Sequence, residues 1–257
     1  MFCSSCFFPV GYKENDATSE LDRRVDERSM NDLFSMGMQH LVKNDNKEEA
    51  IVFFKKVESL DSRHVGCLYH LGHIYETSGD LVTAEQYFEK VVEIDPRHQD
   101  ALFNLGSIMH QNKEFLKAHY YFERLLEINQ QDSNARTCLG LVHRELGNLD
   151  QALNAYAEAL NNDPNCVTAL YNAANLYVEL KIPEKAIEHY LRAIRLQEDH
   201  SDAMFNLAVV YQETYEMEKA LEWYEKAFQI NPSNKESKNA AGAIQRYLDK
   251  RSEKGKC

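Results

Sequence analysis

No apolar run in this 257-residue sequence approaches the roughly 20 residues that a membrane-spanning helix needs. The first residues lack early positive charge, and Phe7-Phe8-Pro9-Val10 is too short for the apolar segment of a secretory signal. Cysteine is sparse: Cys3, Cys6, Cys67, Cys138, Cys166 and Cys257, four of them scattered singly, which excludes a disulfide framework. A reducing, cytoplasmic compartment is the expectation. Positive charge is also in short supply. Lys and Arg number 29 against 41 Asp and Glu, for a net charge of -12. The acid lies mainly in residues 31–234, whereas residues 235–257 are net basic. An acidic body disfavours a phosphate backbone, so nucleic acid is not an expected partner. The basic end reads as a solvated helix end.

Chemical motifs are missing as well. There is no nucleophile elbow, no glycine-rich phosphate loop and no H-E-x-x-H. Serine, histidine and aspartate are plentiful, but no motif singles any of them out. No catalytic residue, metal ligand set or cofactor is expected. A catalytic domain would not fit in the flanks 1–30 and 235–257. The chain therefore reads as not an enzyme.

What the sequence has is a period. Val65 to His98 reads as two amphipathic helices around a Ser78-Gly79-Asp80 turn, closed by Asp95-Pro96. Steps of 34 residues give Ala50, Ala84, Ala118, Ala152, Ala186 and Ala220. Such a coincidence has odds of roughly one in 10^5, and internal periodicity outranks other readings. A second column is aromatic throughout: Phe54, Phe88, Phe122, Tyr156, Tyr190 and Tyr224. A third is small: Gly72, Gly106, Gly140, Ala174 and Ala208, with Met38 as the exception. Small residues let two backbones approach, and the aromatic fills the space between hairpins.

On these columns the chain resembles the tetratricopeptide repeat (TPR) family, over six units without insertion or deletion. The resemblance implies an all-α, right-handed superhelical solenoid of six helical hairpins, at residues 31–64, 65–98, 99–132, 133–166, 167–200 and 201–234. Residues 1–30 are expected to be a flexible segment with a helical lead-in. Residues 235–257 are expected to be a capping helix and basic tail, because Ala241 and Gly242 continue the columns of Leu207 and Ala208. Arg136 and His143 sit where neighbouring repeats are apolar and are expected to face solvent. Trp223, beside the aromatic column, is expected in the core.

The resemblance implies that the first helix of each hairpin lines a concave groove. Subtracting the apolar stripe leaves one column of Tyr69, Phe103, Thr137, Tyr171 and Phe205, and a next one of His70, Asn104, Cys138, Asn172 and Asn206. An aromatic-Asn pair recurs at Phe103-Asn104, Tyr171-Asn172 and Phe205-Asn206, and Asn175 shares the face. A carboxamide offers both donor and acceptor, as a peptide bond does. Equivalent asparagines one repeat apart, on the order of 10 Å, match about three residues of extended chain. The function expected is a protein-protein interaction scaffold or adaptor that binds an extended peptide segment of a partner. Relatives that clamp an acidic C-terminal peptide use lysine and arginine beside such asparagines. Here Asp202 and Glu236 stand where a lysine is needed, so an acidic tail would be repelled. His70, His73 and His110 form a three-imidazole alternative to plain groove residues. Cys3 and Cys6 could carry two thioacyl chains, which would make the chain a membrane-tethered adaptor. A regulatory subunit of an enzyme complex is the remaining alternative. The partner's identity and the oligomeric state stay open.

Overall fold

The computed structural model describes residues 16–43 and 46–254. Thirteen helices and no strand occur among them. The chain divides after Pro96 into two compact units. The first holds α1 (Asp16–Lys43), α2 (Lys47–Leu60), α3 (Val65–Thr77) and α4 (Leu81–Ile94). Helices α1 and α2 form one hairpin, α3 and α4 a second, and α2 packs on α3. The second unit holds α5 (Gln99–Gln111), α6 (Phe115–Ile128), α7 (Ser133–Glu145), α8 (Leu149–Asn162), α9 (Val167–Glu179), α10 (Pro183–Leu196), α11 (Ser201–Glu213), α12 (Met217–Ile230) and α13 (Lys235–Lys254). There too each odd-numbered helix from α5 to α11 pairs with the next, each hairpin leans on its successor, and α13 packs on α12.

The repeat columns are the core. All six alanines are fully buried, and the six aromatics are at most 3% exposed. The small column works as a seat for the ring that follows it. A Cβ on Gly140 would lie 2.5 Å from the Tyr156 ring. The first hairpin departs from the expected register. Gly37, not Met38, faces the ring there: its Cβ would lie 2.7 Å from Phe54. Seventeen residues separate this pair, against sixteen in Gly106 and Phe122, which make the same 2.7 Å approach. The turn absorbs the extra residue. Asn46 N donates to His40 O at 3.0 Å, six residues back, whereas Asp80 N donates to Tyr75 O at 2.9 Å, five back. The run without insertion is thus broken once, between Gly37 and Asn46.

Two local devices recur at the same period. Each hairpin turn from α3 onward has one residue in the left-handed region: Gly79, Lys113, Gly147, Lys181 and Tyr215, with φ of 85°, 61°, 79°, 61° and 62°. That conformation lets the next amide reach back to the helix, as Asn148 N does to His143 O at 2.8 Å. From α3 onward the odd helices, α9 excepted, start on a capping side chain. Nδ1 of His64, His98 and His200, and Oδ1 of Asp132 and Asn234, each accept a hydrogen bond from the backbone N–H three residues on. Cys166 holds this place before α9 and makes no such bond.

Helix α13 closes the second unit. Ala241 and Ile244 are buried in the cluster that contains Leu207, Val210 and Tyr211, with Ala240 and Leu248 packed against it. Trp223 is half-buried at the edge of this cluster, with Lys226 Nζ 4.2 Å from its ring centroid, and so lies outside the deep core. Arg136 and His143 do not face open solvent. Arg136 pairs with Glu158 at 2.9 Å and donates to Gln130 O at 3.0 Å. His143 packs edge-on against His119, ring centroids 5.2 Å apart. Both fill space between α6, α7 and α8 that apolar residues fill elsewhere.

Candidate functional site

In the second unit α5 touches α7, α7 touches α9 and α9 touches α11, so equivalent positions of these helices form rows on one face. Phe103, Asn104, Tyr171, Asn172, Asn175, Phe205 and Asn206 are all half-buried there, and Tyr69 is half-buried on α3 of the first unit. The aromatics serve two purposes, because each also rests on the ring of its own hairpin. Tyr69 meets Phe88 at 5.8 Å, Phe103 meets Phe122 at 5.8 Å, Tyr171 meets Tyr190 at 6.1 Å and Phe205 meets Tyr224 at 5.4 Å. The row is interrupted in α7. Thr137 is 1% exposed, and its hydroxyl donates to Ser133 O at 2.7 Å.

The asparagines differ in what they have left to offer. Asn206 Nδ2 donates to Tyr171 Oη and to Asn175 Oδ1, both at 3.1 Å. Asn175 Oδ1 also accepts from Tyr190 Oη at 2.5 Å. Asn206 therefore presents its carbonyl oxygen and Asn175 its amino group. Asn104 and Asn172 make no side-chain hydrogen bond among the described residues and keep both functions. An open cavity of about 380 Å³ adjoins the network, lined by Arg144, Asn175, Val178, Glu179, Tyr190, Asn206 and Val209. Within it Arg144 Nε bonds Glu179 Oε2 at 2.9 Å. This bond holds the guanidinium pKa above its ordinary value and leaves both Nη groups unused in the ion pair.

Sequence columns did not reveal the role of the tyrosine hydroxyls. The hairpin aromatic is Phe up to residue 122 and Tyr from residue 156, and the added hydroxyl reaches the groove side. Tyr190 bonds Asn175, and Tyr224 Oη donates to Gln212 at 2.9 Å. Tyr156 has Leu141 in the place of Asn175, and its buried Oη has no partner. Burial drives its pKa up, and the charged groups acting on it are Arg144, Glu145 and Glu179. The Phe-to-Tyr change along the column was the available signal.

The three histidines are divided between the two units. His70 stacks on Phe54 at 5.7 Å and 13°, and His73 lies 3.4 Å from Glu76, both in the first unit. His110 packs on Phe115 in the second. Among the described residues no group of three His, Cys, Asp or Glu could hold a metal ion. Burial pushes the thiols of Cys67 and Cys138 up to about 12, which keeps them protonated at neutral pH. Cys3 and Cys6 lie outside the described residues. No helix among the described residues is long and apolar enough to cross a membrane.

Stacked hairpins with a seat-and-ring core and an open polar face define a helical-repeat scaffold. The repeat is tetratricopeptide: models of that repeat match residues 75–140 and 139–199, and the chain is a tetratricopeptide repeat protein. A model described as Regulator of microtubule dynamics protein 1-3 matches residues 173–252. No curated protein matches the chain. Among solved structures, MamA is 25% identical, with a TM-score of 0.58 over 65% of this chain and 96% of its own. The pilF protein of Pseudomonas aeruginosa is 16% identical, with a TM-score of 0.70 over 86% and 99%. YrrB, described as a TPR protein with an unusual peptide-binding site, is 21% identical, with a TM-score of 0.55 over 73% and 96%. The last two likenesses concern the fold.

Proposed function

We propose that this protein is a non-enzymatic scaffold whose groove on α5, α7, α9 and α11 holds an extended segment of a partner protein. The tetratricopeptide fold suits protein-protein interaction, and the groove supplies the contacts. One observation carries the reading. Half-buried carboxamides with unspent hydrogen-bonding groups stand in a row, and two of them, Asn175 and Asn206, line an open cavity. Asn104 and Asn172 each match both groups of a peptide unit, Asn175 takes a carbonyl and Asn206 an N–H. Phe103, Tyr171 and Phe205 present ring edges to side chains of the segment. Aromatics in such places are frequent hot spots.

The test is binding of a panel of unstructured peptides of about twelve residues, with affinity and melting temperature read on the same preparations. Asn172→Ala/Asn206→Ala removes three or so hydrogen-bonding groups, each worth about 0.5–1.5 kcal/mol net. Affinity should fall roughly 10- to 2000-fold, while Gln229→Ala on the exposed face of α12 should change nothing. Undiminished binding by a folded double variant would move the site off this face. Tethering through Cys3 and Cys6 is the second reading, favoured only by their spacing. An intact mass unchanged by hydroxylamine would remove it.

A further inference from the structure

The asparagines of the second unit are of two kinds. Asn104 and Asn172 keep both a donor and an acceptor, which suits a peptide unit. Asn175 and Asn206 each keep one function, and of opposite type. Asn206 Nδ2 is spent on Tyr171 Oη and Asn175 Oδ1, both at 3.1 Å, and Asn175 Oδ1 also accepts from Tyr190 Oη at 2.5 Å. What remains is the amino group of Asn175 and the carbonyl oxygen of Asn206, kept close together because the two carboxamides are bonded to each other. Both residues line the open cavity of about 380 Å³, a volume in the range of ligand pockets.

The same cavity is lined by Arg144 of α7 and by Glu179, the last residue of α9. Their ion pair is single. Arg144 Nε bonds Glu179 Oε2 at 2.9 Å, and no bond to a described residue uses an Nη group or Oε1. The cavity therefore offers donors from Arg144 and Asn175, acceptors from Glu179 and Asn206, and no net charge. Each of these four side chains is already held by a bond within the protein, so little ordering is left for a ligand to impose. Val178 and Val209 add an apolar lining. This set turns most side chains away. A carboxylate finds two donors but stands against Glu179 and the Asn206 oxygen. An ammonium finds two acceptors but stands against Arg144. An aliphatic side chain strips water from all four groups and restores none of their hydrogen bonds. A primary carboxamide matches all four, because its oxygen accepts twice and its nitrogen donates twice. The methylenes beside it meet the two valines.

We infer that this cavity reads a glutamine or asparagine side chain of the bound segment, its oxygen on Arg144 Nη and Asn175 Nδ2 and its amino group on Glu179 Oε1 and Asn206 Oδ1. The inference rests on the peptide-binding reading of the groove and adds a specificity pocket to it. Asn172, one turn before Asn175 on α9, is left to hold the main chain. A site built to hydrogen-bond a polar group discriminates strongly against an analogue that lacks it, since its own polar groups are then left unpaired.

Three blocked serine- and alanine-rich peptides test it, identical except for a central glutamine, glutamate or methionine. The three side chains are close in size and differ in what they can donate and accept. The full-length protein should bind the glutamine peptide about tenfold or more tighter than either of the others. Glu179→Gln leaves Arg144 without its counter-ion, so the preference should pass to the glutamate peptide, with an unchanged melting temperature showing that the fold is intact. Asn172→Ala should weaken all three peptides alike. Equal affinity of the unaltered protein for the three, or an unchanged order of affinities in Glu179→Gln, overturns the inference, and the groove reading survives that result if Asn172→Ala still weakens binding. No binding by any of the three, or binding undiminished in Asn172→Ala/Asn206→Ala, sinks the groove reading and the inference with it.

Discussion

At the scale of single residues the structure rests on size. Ala152 is fully buried where two helices touch, and every repeat has alanine there. Ala152→Leu adds three carbons to a closed site and should cost about 1–3 kcal/mol, read as a lower denaturant midpoint at unchanged slope. His143 gives a pH effect. Burial and the nearby His119 lower its pKa below the ordinary histidine value, and Glu123 opposes them weakly. The unfolded chain then binds the proton more readily than the folded one. This contribution to stability is full above the ordinary range of histidine and is lost as pH falls through it toward the lowered folded value. His143→Gln should flatten that fall between about pH 7 and pH 5, measured as melting temperature against pH. An identical slope in the variant would assign the loss to other groups.

At the scale of elements, the turns show what residue type alone conceals. Gly79 and Gly147 announce left-handed turns, but Lys113, Lys181 and Tyr215 adopt the same conformation with no such signal. A side chain there costs about 1 kcal/mol relative to glycine. Tyr215 is 82% exposed and gives up little contact. Lys113→Gly/Tyr215→Gly should therefore raise stability by about 1–2 kcal/mol, and Gly147→Ala should lower it by about 1 kcal/mol. Thermal unfolding of the three proteins decides it, and a destabilised double variant would contradict the strain argument. The caps make the same point. Sequence shows histidine at 64, 98 and 200, yet only the folded turn turns each ring nitrogen toward the third amide. The first hairpin adds a further case: Gly37 and Met38 look like a swapped pair, and the longer turn shows them to be a one-residue shift.

At the scale of the molecule, the second unit needs its last helix. Ala241 and Ile244 sit in the cluster that buries Leu207, Val210 and Tyr211. Deleting residues 235–257 should uncover that apolar face, lower the melting temperature and promote self-association, as large exposed apolar patches do. Sedimentation of the truncated chain would show it, and a monomer of unchanged stability would rule out the capping role.

The sequence by itself determined the repeat and therefore the fold. A 34-residue period in small, alanine and aromatic positions can be satisfied only by stacking like hairpins, because each unit has one face it cannot bury alone. It also showed which helix faces the apolar stripe leaves over, and so put Asn104, Asn172, Asn175 and Asn206 forward as candidate groove residues. What it could not determine was how those groups are spent. Asn206 turns its amino group to Tyr171 and Asn175, Arg144 pairs with a glutamate 35 residues away, and Tyr156 is left without a partner. Each outcome depends on side chains from different hairpins meeting within about 3 Å. Periodicity fixes where backbones lie, whereas hydrogen bonding is decided at a tenth of that distance, by rotamers that only the packed neighbours select.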